Sequence, residues 1–455
     1  QGQYDDVITY AERVLKDRSI KKRAQINQLL GQAYFEKGDY DRALPFLEEA
    51  ANRSSRMRQE DFYQLGFAQY KTGKYAASIK NFEQLNRVDS ELGQHAMYLM
   101  GDALIKTSDK AAARNAFKVA SRLNHDPSIK EEALYNYAKL SYELSYDREA
   151  VTALQRIQPT SSYYSEAQTI LSAIFLNTRD YEKALEIIEK LPTQTPKIKE
   201  TYQKVAYYRG LQLYKEGNYD GAKGFFNKSI QMPIDARTRA LATYWLGDIA
   251  HKTRNFDGSI VEMNKFISQA KTLSRLPDES SIYTANYTQG YNYLKKKNYS
   301  RALGYFQDAV SSIKRNRMYI NNEYVTQNVL GDAVLRAGDC LFKSNKYNSA
   351  IKFYNEAINN RYSGFVYALY QKAIIEGLRG NVTNKIIALE NVTEDYPRSD
   401  YADNAYLQLG ITYQEINKLG QAVSPLRQLI EKYPDSELYN QALLRLGLIS
   451  YTQGN

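Results

Sequence analysis

Apolar residues recur along this chain in short bursts at helical spacing. Ala43, Leu44, Leu47 and Ala50 set the interval, one face of a helix that turns every 3.6 residues. A polar break precedes such a burst: EKGD at 36–39, KTGK at 71–74, KEGN at 215–218. Gly in the break ends the preceding helix in a left-handed conformation. The pattern predicts helix, tight turn, helix. Strand-like alternation with a period of two appears nowhere.

The phrase repeats. A small landmark residue opens each copy, at Gly31, Gly66, Gly101, Ala138, Ser172, Gly210, Gly247, Gly290, Gly338, Ala373, Gly410 and Gly447. Intervals run from 34 residues (Ala138 to Ser172) to 48 (Gly290 to Gly338). Nine residues on comes an aromatic in many copies, as at Tyr40, Tyr75, Tyr219 and Tyr299. Three further on comes a small residue, as at Ala43, Ser78, Ala222 and Ala302. One such unit cannot bury its apolar face alone, and stacked copies bury it jointly.

These positions resemble the tetratricopeptide repeat family, with its small residue at position 8, Gly at 15, Tyr at 17 and Ala at 20 and 27. The copy at Gly31 supplies Gly31, Gly38, Tyr40, Ala43 and Ala50 in register. The family's Pro at 32 appears only late, at Pro397 and Pro434. The resemblance implies an all-α fold: an α-solenoid, a right-handed superhelix of about 11 helix-turn-helix units with partial units at both ends. The expected organisation is a single solenoid over 1–455. It runs as a partial repeat at 1–22, regular repeats at 23–270, longer repeats at 271–330, and regular repeats at 331–455 ending in a partial unit. The two long units carry SQAKTLSRLPDESS and SSIKRNRMYINNEYVTQNV, for which prolonged second helices and longer connections are expected. Repeat four has Tyr146 one place early, and repeat ten has Val382 and Lys385 at the Tyr and Ala positions. Because both ends fall inside a repeat, the chain reads as a piece of a longer array.

In this family the first helices line a concave groove where ligands lie, through positions 2, 5, 9, 12 and 13. Position 5 is Tyr63, Tyr98, Tyr135, Tyr207, Tyr244, Tyr287 and Tyr370; position 12 adds Tyr70, Tyr142 and Tyr214, and position 9 adds Tyr291. Position 13 is Lys71, Lys106, Lys215, Lys252, Lys295 and Lys343. The groove is therefore expected to carry tyrosines beside lysines. Tyrosine offers large contact area at little entropy cost, and it also packs neighbouring repeats. A lysine row favours an acidic protein segment, and it also complements helix C-terminal dipoles. Chaperone-binding members hold a carboxylate with Lys at 5 and Asn at 9; Gln28–Gln32 and Tyr63–Phe67 stand there instead.

Composition is globular, 43% hydrophobic and 25% charged, so nothing reads as a disordered tract. No apolar run approaches the roughly 18 residues of a membrane span. The net charge of +10 is a mild bias, since 51 acidic residues accompany 61 basic ones. Catalytic patterns are missing: no HExxH, no GxxxxGK[ST], no GxSxG. His95, His125 and His251 are scattered, and Cys340 is the one cysteine, beside a landmark residue and read as a packed core thiol. No catalytic residue, metal site or cofactor is expected.

The functional expectation is a non-catalytic scaffold that binds protein segments. YPRSDYADNAYLQLG and YPDSELYNQALLRLG resemble bacterial cell-envelope members, which implies the periplasm or outer membrane of a Bacteroidetes-like bacterium, with membrane association through partners. The rivals are a cytoplasmic adaptor and a basic nucleic-acid-binding array. The last is disfavoured because the inward positions vary without a base-reading code.

Overall fold

Most of the tight turns close on one left-handed residue. Gly38, Gly73 and Gly217 take positive φ of 76°, 78° and 79°, and Ser108, Arg254, Lys297 and Asn417 take the same role in other repeats. In several repeats the next helix begins at a side-chain cap: Asp39 accepts from the Arg42 amide, Asp109 from Ala112, and Asn298 from Arg301.

The computed structural model describes residues 2–17, 19–191 and 193–454. Among them lie 24 α-helices and no strand. The chain is all-α, and its helices pair and stack in sequence as an α-solenoid does. Contacts divide it into two compact units, Gln1–Val205 and Ala206–Asn455; the division falls within the helix Pro196–Lys215.

The first unit opens on the helix Gly2–Leu15. Five pairs follow, among them Gln59–Lys71 with Tyr75–Glu83, Glu91–Lys106 with Lys110–Ala120, and Pro127–Glu143 with Asp147–Leu154. The second unit includes Tyr219–Gln231, then Ala236–Lys252 with Phe256–Ala270, Ile282–Lys295 with Tyr299–Asn316, and Leu330–Lys343 with Tyr347–Asn359. Phe365–Leu378 with Val382–Asp395 and Ala402–Glu415 with Leu419–Lys432 complete its pairs, and Tyr439–Thr452 ends it.

The landmark glycine has a steric cause. A Cβ on Gly66, Gly101, Gly210, Gly290 or Gly338 would stand 2.6–2.9 Å from the ring sixteen places on, Phe82, Phe117, Phe226, Phe306 or Tyr354. Each ring lies flat against the bare backbone of its own first helix and sits in the core. Repeat ten has Ala373 and Leu389 at these two places, both in the core, and differs at its Ala position, which is Lys385. Its buried stem passes Gly377, and its ammonium reaches within 3.9 Å of Glu415. Tyr146, one place early, takes the Arg114 guanidinium over its ring at 4.1 Å.

The two long units stand together in the second unit of the structure. Tyr299–Asn316 has 18 residues and runs into a 3₁₀ turn at Arg317–Tyr319 and a π turn at Val325–Val329. The connection before Ile282–Lys295 carries a 3₁₀ turn at Asp278–Ser280. Asp278 latches the two connections together. Its Oδ2 accepts from the amides of Asn321 (2.8 Å) and Asn322 (2.9 Å), and its Oδ1 accepts from the Tyr283 hydroxyl at 2.8 Å.

Candidate partner-binding face

Helical periodicity puts the tyrosines of positions 5 and 12 on one face of each first helix. Stacking then brings the next first helix against them. In the first unit the Tyr63 hydroxyl meets His95 Nδ1 at 2.6 Å, Tyr70 donates to Asp102, and Tyr98 donates to Glu132 Oε1 at 2.7 Å. Tyr135 stacks on Tyr163 with centroids 4.6 Å apart, and Tyr142 is half-buried. In the second unit Tyr214 donates to Asp248, while Tyr287 (2.9 Å) and Tyr291 both donate to Asp332. Tyr207 accepts from Trp245 Nε1 at 3.3 Å, Tyr244 packs edge-on against Phe266, and Tyr370 stacks on Tyr401.

None of these eleven tyrosines is exposed; Tyr207 and Tyr244 are core residues at 8% and 4% exposure. Burial first, and then the neighbouring carboxylate, pushes the phenols of Tyr70, Tyr98, Tyr287 and Tyr291 well above the ordinary tyrosine value. They stay protonated and donate. Their hydroxyls are spent on neighbouring repeats, and what remains available is ring surface.

The six lysines behave differently. Each is exposed, and each is the last residue of its first helix, where its charge opposes the helix dipole. Lys106 is 3.4 Å from Asp102, and Lys71 lies over the Phe67 ring at 5.3 Å.

One place in the second unit opens between the rings. A cavity of about 290 Å³ is walled by Tyr214, Trp245, Tyr287, Tyr291 and Tyr324. Asp248, Glu279, His251 and Lys252 also line it, and Asn322 and Val325 extend the wall from the long connection. Trp245 is wedged between Tyr214 and Tyr244, with centroids 4.7 and 5.3 Å away. It is the only tryptophan in the chain. Five of the residues expected from the repeat register thus meet at one cavity: Tyr214, Tyr244, Lys252, Tyr287 and Tyr291.

Family descriptions match four stretches. Residues 1–85 match "Anaphase-promoting complex, cyclosome, subunit 3", and residues 63–127, 331–361 and 404–436 match "Tetratricopeptide repeat". These matches support the tetratricopeptide repeat family. No curated protein matches the sequence. Among solved structures, one titled "Crystal structure of APC/C hetero-tetramer Cut9-Hcn1" is 14% identical, covering 98% of this chain and 93% of that one, with a TM-score of 0.33. Yeast Tom70 is also 14% identical, covering 95% and 96%, with a TM-score of 0.34. At such scores neither bears on what this chain binds.

Within the tetratricopeptide register, reading tyrosines and lysines alone misses the carboxylates that hold them. Asp102, Asp248 and Asp339 each follow a landmark glycine, a Gly-Asp pair visible in the sequence. Asp339 accepts from Tyr354 (2.6 Å) and Tyr367 (2.8 Å), while Arg336 bridges Asp339 and Asp332, its Nε 3.1 Å from Asp332 Oδ1. The three histidines have separate partners, Tyr63, Asp89 and Asn292. Among the described residues no group of three His, Cys, Asp or Glu could hold a metal ion. Cys340 is buried, and burial pushes its thiol up to about 12.

Proposed function

We propose that the chain is a non-catalytic scaffold that binds protein segments along the faces of its first helices. The observation that carries this reading is the open cavity of the second unit, lined by rings from three consecutive first helices. Rigid rings with their hydroxyls already bonded are preorganised contact area, which lowers the entropy lost on binding. The exposed lysines beside them supply a polar rim. Carboxylates stand among those lysines, and Lys106 is already paired with Asp102, so the favoured partner has mixed charge, with acidic residues opposite Lys71, Lys215, Lys295 and Lys343.

The test is capture of partners from the source organism, followed by lysine-directed cross-linking and mass spectrometry. Cross-links from partner segments to Lys215, Lys252, Lys295 and Lys343 are expected. Cross-links confined to second-helix lysines such as Lys223, Lys265 and Lys352 would overturn the reading. Partners that are only RNA and ribosomal proteins, released by salt, would mean that the basic charge does the binding.

A cell-envelope location is proposed on the two boundaries at Pro397 and Pro434, with membrane contact through partners. Among the described residues no helix is long and apolar enough to cross a membrane. A reporter fused to the full gene product tests it: export supports the envelope, and retention supports a cytoplasmic adaptor.

A further inference from the structure

The cavity of the second unit has a chemistry of its own, and we propose that it receives an organic cation, the ammonium or guanidinium of a partner's lysine or arginine. The proposal rests on the first-helix face being where partners bind. Three observations carry it.

The first is the state of the rings. Tyr214, Tyr287 and Tyr291 have no hydroxyl proton left to offer, because each is donated to Asp248 or Asp332. A phenol that donates to a carboxylate gains electron density, which deepens the negative face of its ring. Such rings, with the indole of Trp245 among them, attract a cation.

The second is charge. Asp248 and Glu279 line the cavity, and neither has a Lys or Arg partner among the described residues. Asp248 takes only the neutral Tyr214 hydroxyl, and Glu279 is exposed. Lys252 lies at the helix end, exposed, and His251 binds Asn292 through Nδ1 at 2.7 Å. Carboxylates in other repeats are commonly paired, as Asp102 is with Lys106 and Asp332 with Arg336. With two carboxylates against the single Lys252, none of them in an ion pair among the described residues, the lining beside these aromatic faces is net negative and suits positive charge.

The third is size and origin. At about 290 Å³ the cavity lies at the lower edge of the ~300–1,000 Å³ of ligand pockets, so it suits one long side chain. Glu279, Asn322 and Tyr324 come from the two long connections that Asp278 latches together. The extra length of these repeats therefore completes the cavity wall.

Trp245, the only tryptophan, reports on this cavity without background. The full chain would be titrated with choline and with Nα-acetyl-arginine amide at constant ionic strength. The neutral isostere of choline, 3,3-dimethyl-1-butanol, runs beside them. A saturable change in Trp245 emission is expected for both cations, with the neutral compound weaker by on the order of tenfold. Glu279→Gln, a surface change, should weaken choline severalfold while leaving helix content unchanged. Equal binding of the neutral compound, or silence toward both cations in a folded protein, would overturn the proposal. If cations fail while partner cross-links still map to Lys215 and Lys295, the scaffold reading survives and this one does not. Saturation by choline with no partner cross-link to this face would leave a small-amine site and overturn the partner side chain.

Discussion

The two units use the same repeat positions for different ends. In the first, tyrosines are single staples: Tyr70 to Asp102, Tyr98 to Glu132, Tyr63 to His95. Each bond ties one first helix to the next. In the second, four tyrosine hydroxyls converge on Asp332 and Asp339, which flank Arg336 on the helix Leu330–Lys343. There, too, the long connections hold open an aromatic cavity. Repeats of regular length spend their tyrosines on stacking. In the longer repeats Tyr244 stays in the core, while Tyr287 and Tyr291 are fastened together to Asp332 and line the cavity.

The sharpest break in this contrast is Arg336→Ala. It leaves two carboxylates facing one another, with four phenols as their only compensation. A loss of about 3 kcal/mol is expected, the low end for breaking a buried pair because Arg336 is one-quarter exposed. Amide exchange should rise across 330–343 and 282–295 and stay unchanged in the first unit. Next is Asp278→Ala, which strips partners from two amides and the Tyr283 hydroxyl at about 1–3 kcal/mol. Faster exchange at 317–329 and a shift in Trp245 emission would follow. An unchanged emission would separate the latch from the cavity.

Tyr98→Phe tests the single staple. It removes one hydrogen bond to Glu132 and should cost about 1 kcal/mol, read as a small drop in urea midpoint. A cost as large as that of Arg336→Ala would erase the distinction between staple and network. The smallest expected effect is one of pH. Burial holds the His95 imidazole below the ordinary histidine value of 6.5. Its contribution to stability is therefore full above that value and is lost as pH falls through it toward the folded value. The first unit should loosen as pH falls below 6.5, and His95→Gln should flatten that part of the profile.

The repeat, its turns and the face carrying Tyr98, Tyr214 or Lys252 were all legible in the chain, because helical period and turn chemistry are local. A Gly followed nine residues later by Tyr signals one first helix, its left-handed stop and the start of the second. What stayed hidden lies between repeats. The proton of Tyr98 goes to a carboxylate 34 residues on, and that of Tyr287 to one 45 residues on. No local rule specifies such a pairing; stacking of whole units does. The close approach of Gly290 to Phe306 was written in the sequence as a fixed interval, yet only the packed ring shows why glycine is needed. The cavity lay furthest from view. It exists because two long connections, unremarkable in composition, are held by Asp278 beside the rings of three helices. The sequence by itself determined the unit and the faces of its helices. Tertiary structure alone decided which tyrosines became staples and where an opening was left, since both depend on how neighbouring units stack.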